Sequence, residues 1–167
     1  MIRPARGEDL PALAWIEHEA TRAFDGPIRD RCESFGRLPD DAFAPPVAAG
    51  HAWIAPDAED RPAGFVACRL LDGRPFVVEL SVLTAHHRRG YGSALLEQVA
   101  AWARPWGVLT LTTFRDVPFN APFYARRGFA ILEPGANCPE LASQFAAERE
   151  RWSGIAARVA MIRKLGP

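Results

Sequence analysis

The chain has 167 residues, 49% of them apolar, which is enough to build the core of one domain and too many for a disordered tail. Twenty basic residues balance twenty acidic ones, so a polyanion such as bulk nucleic acid is not an expected partner, because its binders carry a net basic face. No run approaches the roughly 18 apolar residues of a membrane helix, and Met1-Ile2-Arg3-Pro4-Ala5-Arg6 lacks the apolar stretch of a signal peptide. The expectation is a soluble, cytoplasmic chain forming a single domain over residues 1–167, with no membrane association. Cys32, Cys68 and Cys138 are odd in number and far apart, which reads as reduced thiols rather than a zinc site or a disulfide framework.

In chain order, residues 2–6 read as a short strand. Leu10, Leu13, Ile16, Glu17 and Ala20 then recur at helical spacing. A second helix is expected over 28–35, after which Pro39, Pro45 and Pro46 predict irregular chain. Residues 51–55 and 63–71 read as strands joined by a polar turn, and 75–83 as a third strand in an antiparallel meander. Beyond Gly90, the residues Leu95, Leu96, Val99, Trp102, Ala103 and Trp106 mark one side of an amphipathic helix that Pro105 should end.

Residues 108–114 are rich in β-formers. Residues 118–127 read as a short helix closed by Gly128, and 129–133 as extended chain. A loop over 135–138, a polar helix over 139–152 and a last strand over 158–165 complete a mixed α/β order, with no internal repeat and no dividing linker.

The most informative stretch is Val82-Leu83-Thr84-Ala85-His86-His87-Arg88-Arg89-Gly90-Tyr91-Gly92-Ser93-Ala94, which takes a strand through a basic, glycine-containing turn into a helix. Glycine lets the backbone come close to a ligand, and the first N–H groups of a helix attract an anion, so a phosphate is the expected guest. No Lys-Ser or Lys-Thr follows the second glycine, and the third glycine of a dinucleotide fingerprint is missing. The plainer alternative is a tight strand-to-helix turn with solvated arginines.

This segment resembles the pyrophosphate-binding motif of the GNAT superfamily of N-acetyltransferases: Gln or Arg, two residues, Gly, any residue, then Gly or Ala. The position three before Gly90 is His87, which departs from the usual residue but keeps a hydrogen-bond donor. Asn120-Ala121-Pro122-Phe123-Tyr124-Ala125-Arg126-Arg127-Gly128-Phe129 is similar to the family's downstream Asn…Tyr…Gly-Phe segment. Asn120 and Tyr124 are four apart and share one side of a helix. A structural reading of the same residues is that Asn120 caps the helix and Tyr124 and Phe129 are core aromatics.

The resemblance implies an α/β fold of the α+β type, with a mixed, mostly antiparallel central sheet flanked by helices. It implies acetyl-CoA as donor, with CoA as product. By resemblance, His87, Arg88, Arg89, Gly90, Tyr91, Gly92 and Ser93 would cradle the pyrophosphate, Leu80, Ser81 and Val82 would pair with the pantetheine arm, and Asn120 would contact the same arm. Tyr124 would protonate the departing thiolate, and a backbone N–H near Val82 would meet the oxyanion. The family needs no metal, and His86 with His87 lacks a third ligand at a recognisable spacing.

Acetyl transfer to an amine also needs a base. Glu79, within Phe76-Val77-Val78-Glu79-Leu80-Ser81-Val82, is the candidate, since a carboxylate in an apolar strand is costly to bury without a role. The alternative is a strand residue that points to solvent or pairs with an arginine. Glu17, His18, Asp25 and His51 are weaker candidates on the acceptor side.

The expected acceptor is an amine on a small molecule, a peptide N-terminus or a lysine. The rivals are a noncatalytic acyl-CoA-binding or sensing module and a nucleotide-binding regulator. An arginine-rich exterior and exposed tryptophans such as Trp152 leave room for a homodimer.

Overall fold

A computed structural model describes residues 1–166. Among them are seven strands and six α-helices. The strands are β1 (Arg3–Pro4), β2 (Ala52–Pro56), β3 (Pro62–Leu71), β4 (Arg74–Val82), β5 (Val108–Phe114), β6 (Ala130–Leu132) and β7 (Arg158–Lys164). The helices are α1 (Leu10–Ala20), α2 (Gly26–Phe35), α3 (Ala44–Ala48), α4 (Tyr91–Ala103), α5 (Ala121–Ala125) and α6 (Pro139–Arg151). The strands form one sheet in the order β1-β2-β3-β4-β5-β7-β6. Pairing is antiparallel for β1 with β2, β2 with β3, β5 with β7 and β6 with β7, and parallel for β4 with β5. This is the expected mixed, mostly antiparallel sheet.

The chain divides into two compact units, one of Met1–Arg69 with Val78–Ala101, the other of Leu70–Val77 with Trp102 onward. In the first unit, Leu13 and Ile16 of α1 pack with Phe43, Ile54 and Phe65. The rings of Phe43 and Phe65 meet edge-on at 4.8 Å. Each such side chain, fully buried, contributes about 1.5–3 kcal/mol.

A polar clasp closes the start of this unit. Arg3 donates to both oxygens of Asp9 at 2.8 Å, and the Arg6 N–H donates to Asp9 Oδ2 at 2.8 Å. The carboxyl is buried, and its bonds to Arg3 hold it below the usual aspartate range.

The second unit is built on β5, β6 and β7. The long connection through α6 brings β7 in between β5 and β6, with Leu111 opposite Met161 and Ile131 opposite the same residue on the other edge. Leu71, Phe76, Cys138 and Leu141 form a separate apolar cluster here.

Three expectations are corrected. Pro45 and Pro46 do not enforce irregular chain: they lie in the first turn of α3, where a missing N–H costs no intrahelical bond. The helix expected over 118–127 is confined to Ala121–Ala125, because Asn120 begins the helical bonding by accepting the Tyr124 N–H at 3.1 Å. Trp152 is not exposed. It is 8% accessible and meets Phe114 edge-on at 4.7 Å, so its indole fills the core beneath β5 and offers no surface for a second copy.

Candidate functional site

The glycine turn lies in the first unit. His86 ends a short 3₁₀ turn, Arg88 takes a left-handed conformation at φ 60°, and Gly90 follows at φ 85°. A non-glycine residue held there costs of order 1–3 kcal/mol and persists only where its surroundings impose it. Gly90 C=O accepts the Ala94 N–H at 3.0 Å, so helical bonding begins at Gly90 and the N–H groups of Tyr91 and Gly92 lie ahead of that first bond. Arg88 and Arg89 are exposed beside them. The turn therefore combines outward N–H groups, a helix N-terminus and two guanidinium groups, an arrangement suited to a phosphate.

His87 behaves differently from a simple surface donor. Its Nε2 lies 3.0 Å from the carbonyl of Val82. A carbonyl only accepts, so Nε2 carries the proton in this contact and ties the turn to the end of β4.

On β4, Glu79 and Ser81 are two apart and therefore on the same face. The Ser81 hydroxyl, on a buried residue, donates to Glu79 Oε1 at 2.6 Å. Leu80 and Val82 alternate with them, and both are half-buried.

Glu17 on α1 stands seven residues after Leu10, on the helix face that Leu10 and Leu13 apply to the core. Burial, with the negative charge of Glu79 added, pushes its carboxyl up to about 7. Cys32 on α2 is subject to the same two carboxylates, and burial first, then those charges, push its thiol up to about 11. Three elements thus bring Glu17, Cys32 and Glu79 into one electrostatic neighbourhood. Of the weaker acceptor-side candidates, His18 and His51 are half-buried and Asp25 is exposed.

Sequence reasoning missed Gly64. A Cβ at this position of β3 would lie 2.9 Å from the Ser81 carbonyl oxygen and 2.9 Å from Val82 Cγ2. Only glycine lets β3 come this close to the segment 81–82. A glycine inside an otherwise apolar strand was the available signal.

Asn120 and Tyr124 lie in the second unit. Tyr124 is buried, its ring edge-on between Phe123 at 5.2 Å and Phe129 at 5.6 Å. Arg127 covers the other ring of this group: its guanidinium carbon lies 3.7 Å from the Phe123 centroid, and Nη1 donates to the Phe123 carbonyl at 3.0 Å. Gly128, at φ 84°, turns the chain out of the helix, and Phe129 N–H returns to the Tyr124 carbonyl at 3.2 Å. Asn120 Oδ1 is buried without a hydrogen-bond partner in the chain. A buried acceptor left this way is costly, and it suits an N–H donor from outside the protein.

Among the described residues, no three His, Cys, Asp or Glu side chains are grouped as metal ligands, and no helix is long and apolar enough to cross a membrane.

The fold is that of N-acetyltransferases. Rv2747 from Mycobacterium tuberculosis, solved in complex with CoA, superposes with a TM-score of 0.71 at 19% identity, covering 99% of each chain. The ribosomal-protein-S18-alanine N-acetyltransferase from Escherichia coli gives 0.68 at 18% identity, over 100% of this chain and 94% of that one. The PaiA N-acetyltransferase from Thermoplasma acidophilum, in complex with coenzyme A, gives 0.66 at 16% identity, over 98% of both. The sequence matches the acetyltransferase (GNAT) family over residues 12–129, well over half of its length, and the chain belongs to that family. It is an enzyme of acetyl transfer.

Proposed function

We propose that the protein transfers the acetyl group of acetyl-CoA directly to an amine. The observation that carries this reading is the left-handed Arg88 and Gly90 at the opening of α4, within a chain whose family transfers acetyl groups. Two solved N-acetyltransferase-fold proteins bind CoA, which supports the same donor here.

In this reading the turn from Arg88 through Ser93 holds the pyrophosphate, and His87 fixes the turn to β4. Leu80, Ser81 and Val82 offer backbone groups to the pantetheine arm, and the N–H near Val82 meets the oxyanion. Asn120 Oδ1, orphaned and buried, accepts an amide N–H of that arm. Glu79 takes a proton from the acceptor's nitrogen, leaving its electron pair to attack the thioester carbonyl. The C–S bond then breaks, and Tyr124 protonates the departing thiolate.

The family match draws on both units, which supports one catalytic domain. The free thiols of Cys32, Cys68 and Cys138 support a cytoplasmic enzyme, and the single lysine among twenty basic residues a GC-rich bacterial source. The acceptor class is a small-molecule amine, a protein N-terminus or a lysine.

The test is thermal unfolding with acetyl-CoA, using ATP as control. At a hundred times the dissociation constant the ligand adds about 2.7 kcal/mol, a rise of roughly 5 °C or more. A rise with acetyl-CoA alone supports the reading, and no rise at saturation removes it.

A further inference from the structure

We infer that His87 is a positioning residue for the transfer: its ring takes up the Val82 carbonyl and so holds the Val82 N–H in the direction from which it meets the carbonyl oxygen of the thioester. This deepens the proposed function and rests on its oxyanion donor near Val82.

The direction of the Val82 groups follows from their neighbours. The Ser81 carbonyl oxygen comes against Gly64 of β3, where it would lie 2.9 Å from a Cβ. On the other side of Val82, the Leu83 N–H donates to the Ala63 carbonyl at 2.9 Å. A peptide unit is planar and trans, so its C=O and N–H point opposite ways. The unit that turns the Ser81 carbonyl toward β3 therefore turns the Val82 N–H away from it. The unit that turns the Leu83 N–H toward β3 likewise turns the Val82 carbonyl away. Both polar groups of Val82 thus face the side that β3 does not cover, as alternation along an antiparallel strand requires.

His87 meets one of the two. Beyond β4 the chain makes a 3₁₀ turn, in which the Leu83 carbonyl accepts the His86 N–H at 2.8 Å and the Thr84 carbonyl accepts the His87 N–H at 3.2 Å. The turn brings the His87 ring back to Val82, whose carbonyl accepts from Nε2 at 3.0 Å. With the Leu83 N–H anchored on Ala63 and the Val82 carbonyl on His87, the peptide unit between residues 82 and 83 is held at both ends. What Val82 still presents on that side is its N–H, a donor fixed in direction. A thioester oxygen only accepts, and it gains negative charge as the amine attacks, so a donor already in place stabilises that change without reorganising. Nδ1 takes no part in the contact, so the bond persists whether or not that nitrogen carries a proton.

The experiment uses the full chain and acetyl-CoA isotopically labelled at the acetyl carbonyl carbon, and it needs no acceptor. The C=O stretch of the bound thioester is read by infrared difference spectroscopy and the affinity by isothermal titration, in the parent and in His87→Ala, His87→Asn and His87→Gln. His87 is exposed, so its replacement leaves the core intact. In the parent the stretch is expected below its value in free solution, the mark of a hydrogen bond to that oxygen. In His87→Ala this lowering should shrink by about half, because the bond weakens as its angle loosens. The dissociation constant should change by less than about threefold, since the backbone N–H groups of the glycine turn are untouched. His87→Gln, whose amide nitrogen reaches as far as Nε2, restores the lowering, and His87→Asn, one carbon shorter, does not.

An equal lowering in the parent and His87→Ala overturns the proposal. So does a His87→Gln variant that behaves as His87→Ala, since the donated bond is then not what matters. A dissociation constant raised by about tenfold or more in His87→Ala makes the ring a contact of the pyrophosphate instead and also overturns it. A parent whose bound thioester absorbs as in free solution removes the oxyanion donor at Val82, and His87 with it, yet leaves acetyl-CoA binding intact. Absence of acetyl-CoA binding to the unaltered chain is the separate result that removes the donor reading.

Discussion

Asp72 and Glu140 cap each other's backbone across 68 residues of sequence. Asp72 Oδ1 accepts the Glu140 N–H at 2.9 Å and Oδ2 accepts the Leu141 N–H at 3.0 Å, while the Glu140 carboxylate accepts the Asp72 N–H. The result is a capping box whose two halves come from different places: the turn between β3 and β4, and the first turn of α6. It sits over the cluster of Leu71, Phe76, Cys138 and Leu141. Asp72 reaches this position at φ 52°, a conformation aspartate tolerates better than most residues.

Asp72→Ala removes the cap and keeps the left-handed backbone under a less tolerant residue. The expected loss is about 2 kcal/mol. Asp72→Gly removes the cap but relieves the backbone, and should lose less. Urea unfolding of the two variants separates capping from strain.

Tyr124→Phe leaves the packing between Phe123 and Phe129 in place and removes only the phenolic hydroxyl. The expected result is a fall in kcat of roughly 10²-fold, with the stabilisation by acetyl-CoA unchanged. Single-turnover CoA release compared with thermal shift checks it; unchanged turnover takes Tyr124 out of the mechanism.

Gly64→Ala places a methyl carbon 2.9 Å from a backbone oxygen of β4, which cannot move without its strand. The chain should lose about 1–3 kcal/mol, and its affinity for acetyl-CoA should fall as residues 81–82 shift. Gly90→Ala is a different case: its Cβ meets nothing within 4 Å, and its φ of 85° is the whole constraint. It should lose about 1 kcal/mol through backbone strain. Isothermal titration with acetyl-CoA distinguishes the two.

Glu17 makes stability depend on pH in an unusual direction. Its carboxyl goes from an ordinary 4.5 to about 7 on folding, so between those values the folded chain holds a proton that the unfolded chain has released. Stability from this group is complete below about 4.5 and is lost as pH rises through about 7. Allowing for the solvent that still reaches the group, the loss is about 1 to 2 kcal/mol. Asp9 works with the opposite sign: its lowered carboxyl contributes above its ordinary value of 3.8 and ceases to contribute as pH falls through the folded value. Glu17→Gln should therefore be more stable than the parent at pH 8 and no more stable at pH 4.5, which denaturation at the two pH values checks.

The segments that announce acetyl transfer were legible because they are local. The turn through Arg88 and Gly90 and the run from Asn120 to Phe129 each place their chemistry within a dozen residues, so side-chain type and spacing suffice to identify them. The extents of most helices and strands were legible for the same reason, since apolar periodicity and punctuation by Pro105 and Gly128 act over one or two turns. Pro45 and Pro46 misled because proline breaks a helix interior yet fits a first turn, and only the start of α3 distinguishes the two.

What the tertiary structure alone decided are the relationships made by burial. Trp152 reads as a surface residue of a polar helix until Phe114 covers it. Glu17 occupies a position of the apolar face of α1, and nothing in its own neighbourhood names Glu79 as the charge that raises it. Gly64 matters only because residues 81 and 82 pass against it, and Asp72 finds Glu140 only when α6 packs down on Leu71 and Phe76. Spacing along the chain sets which residues share a face; the burial of those faces against one another, which drives folding without regard to sequence distance, sets which residues meet.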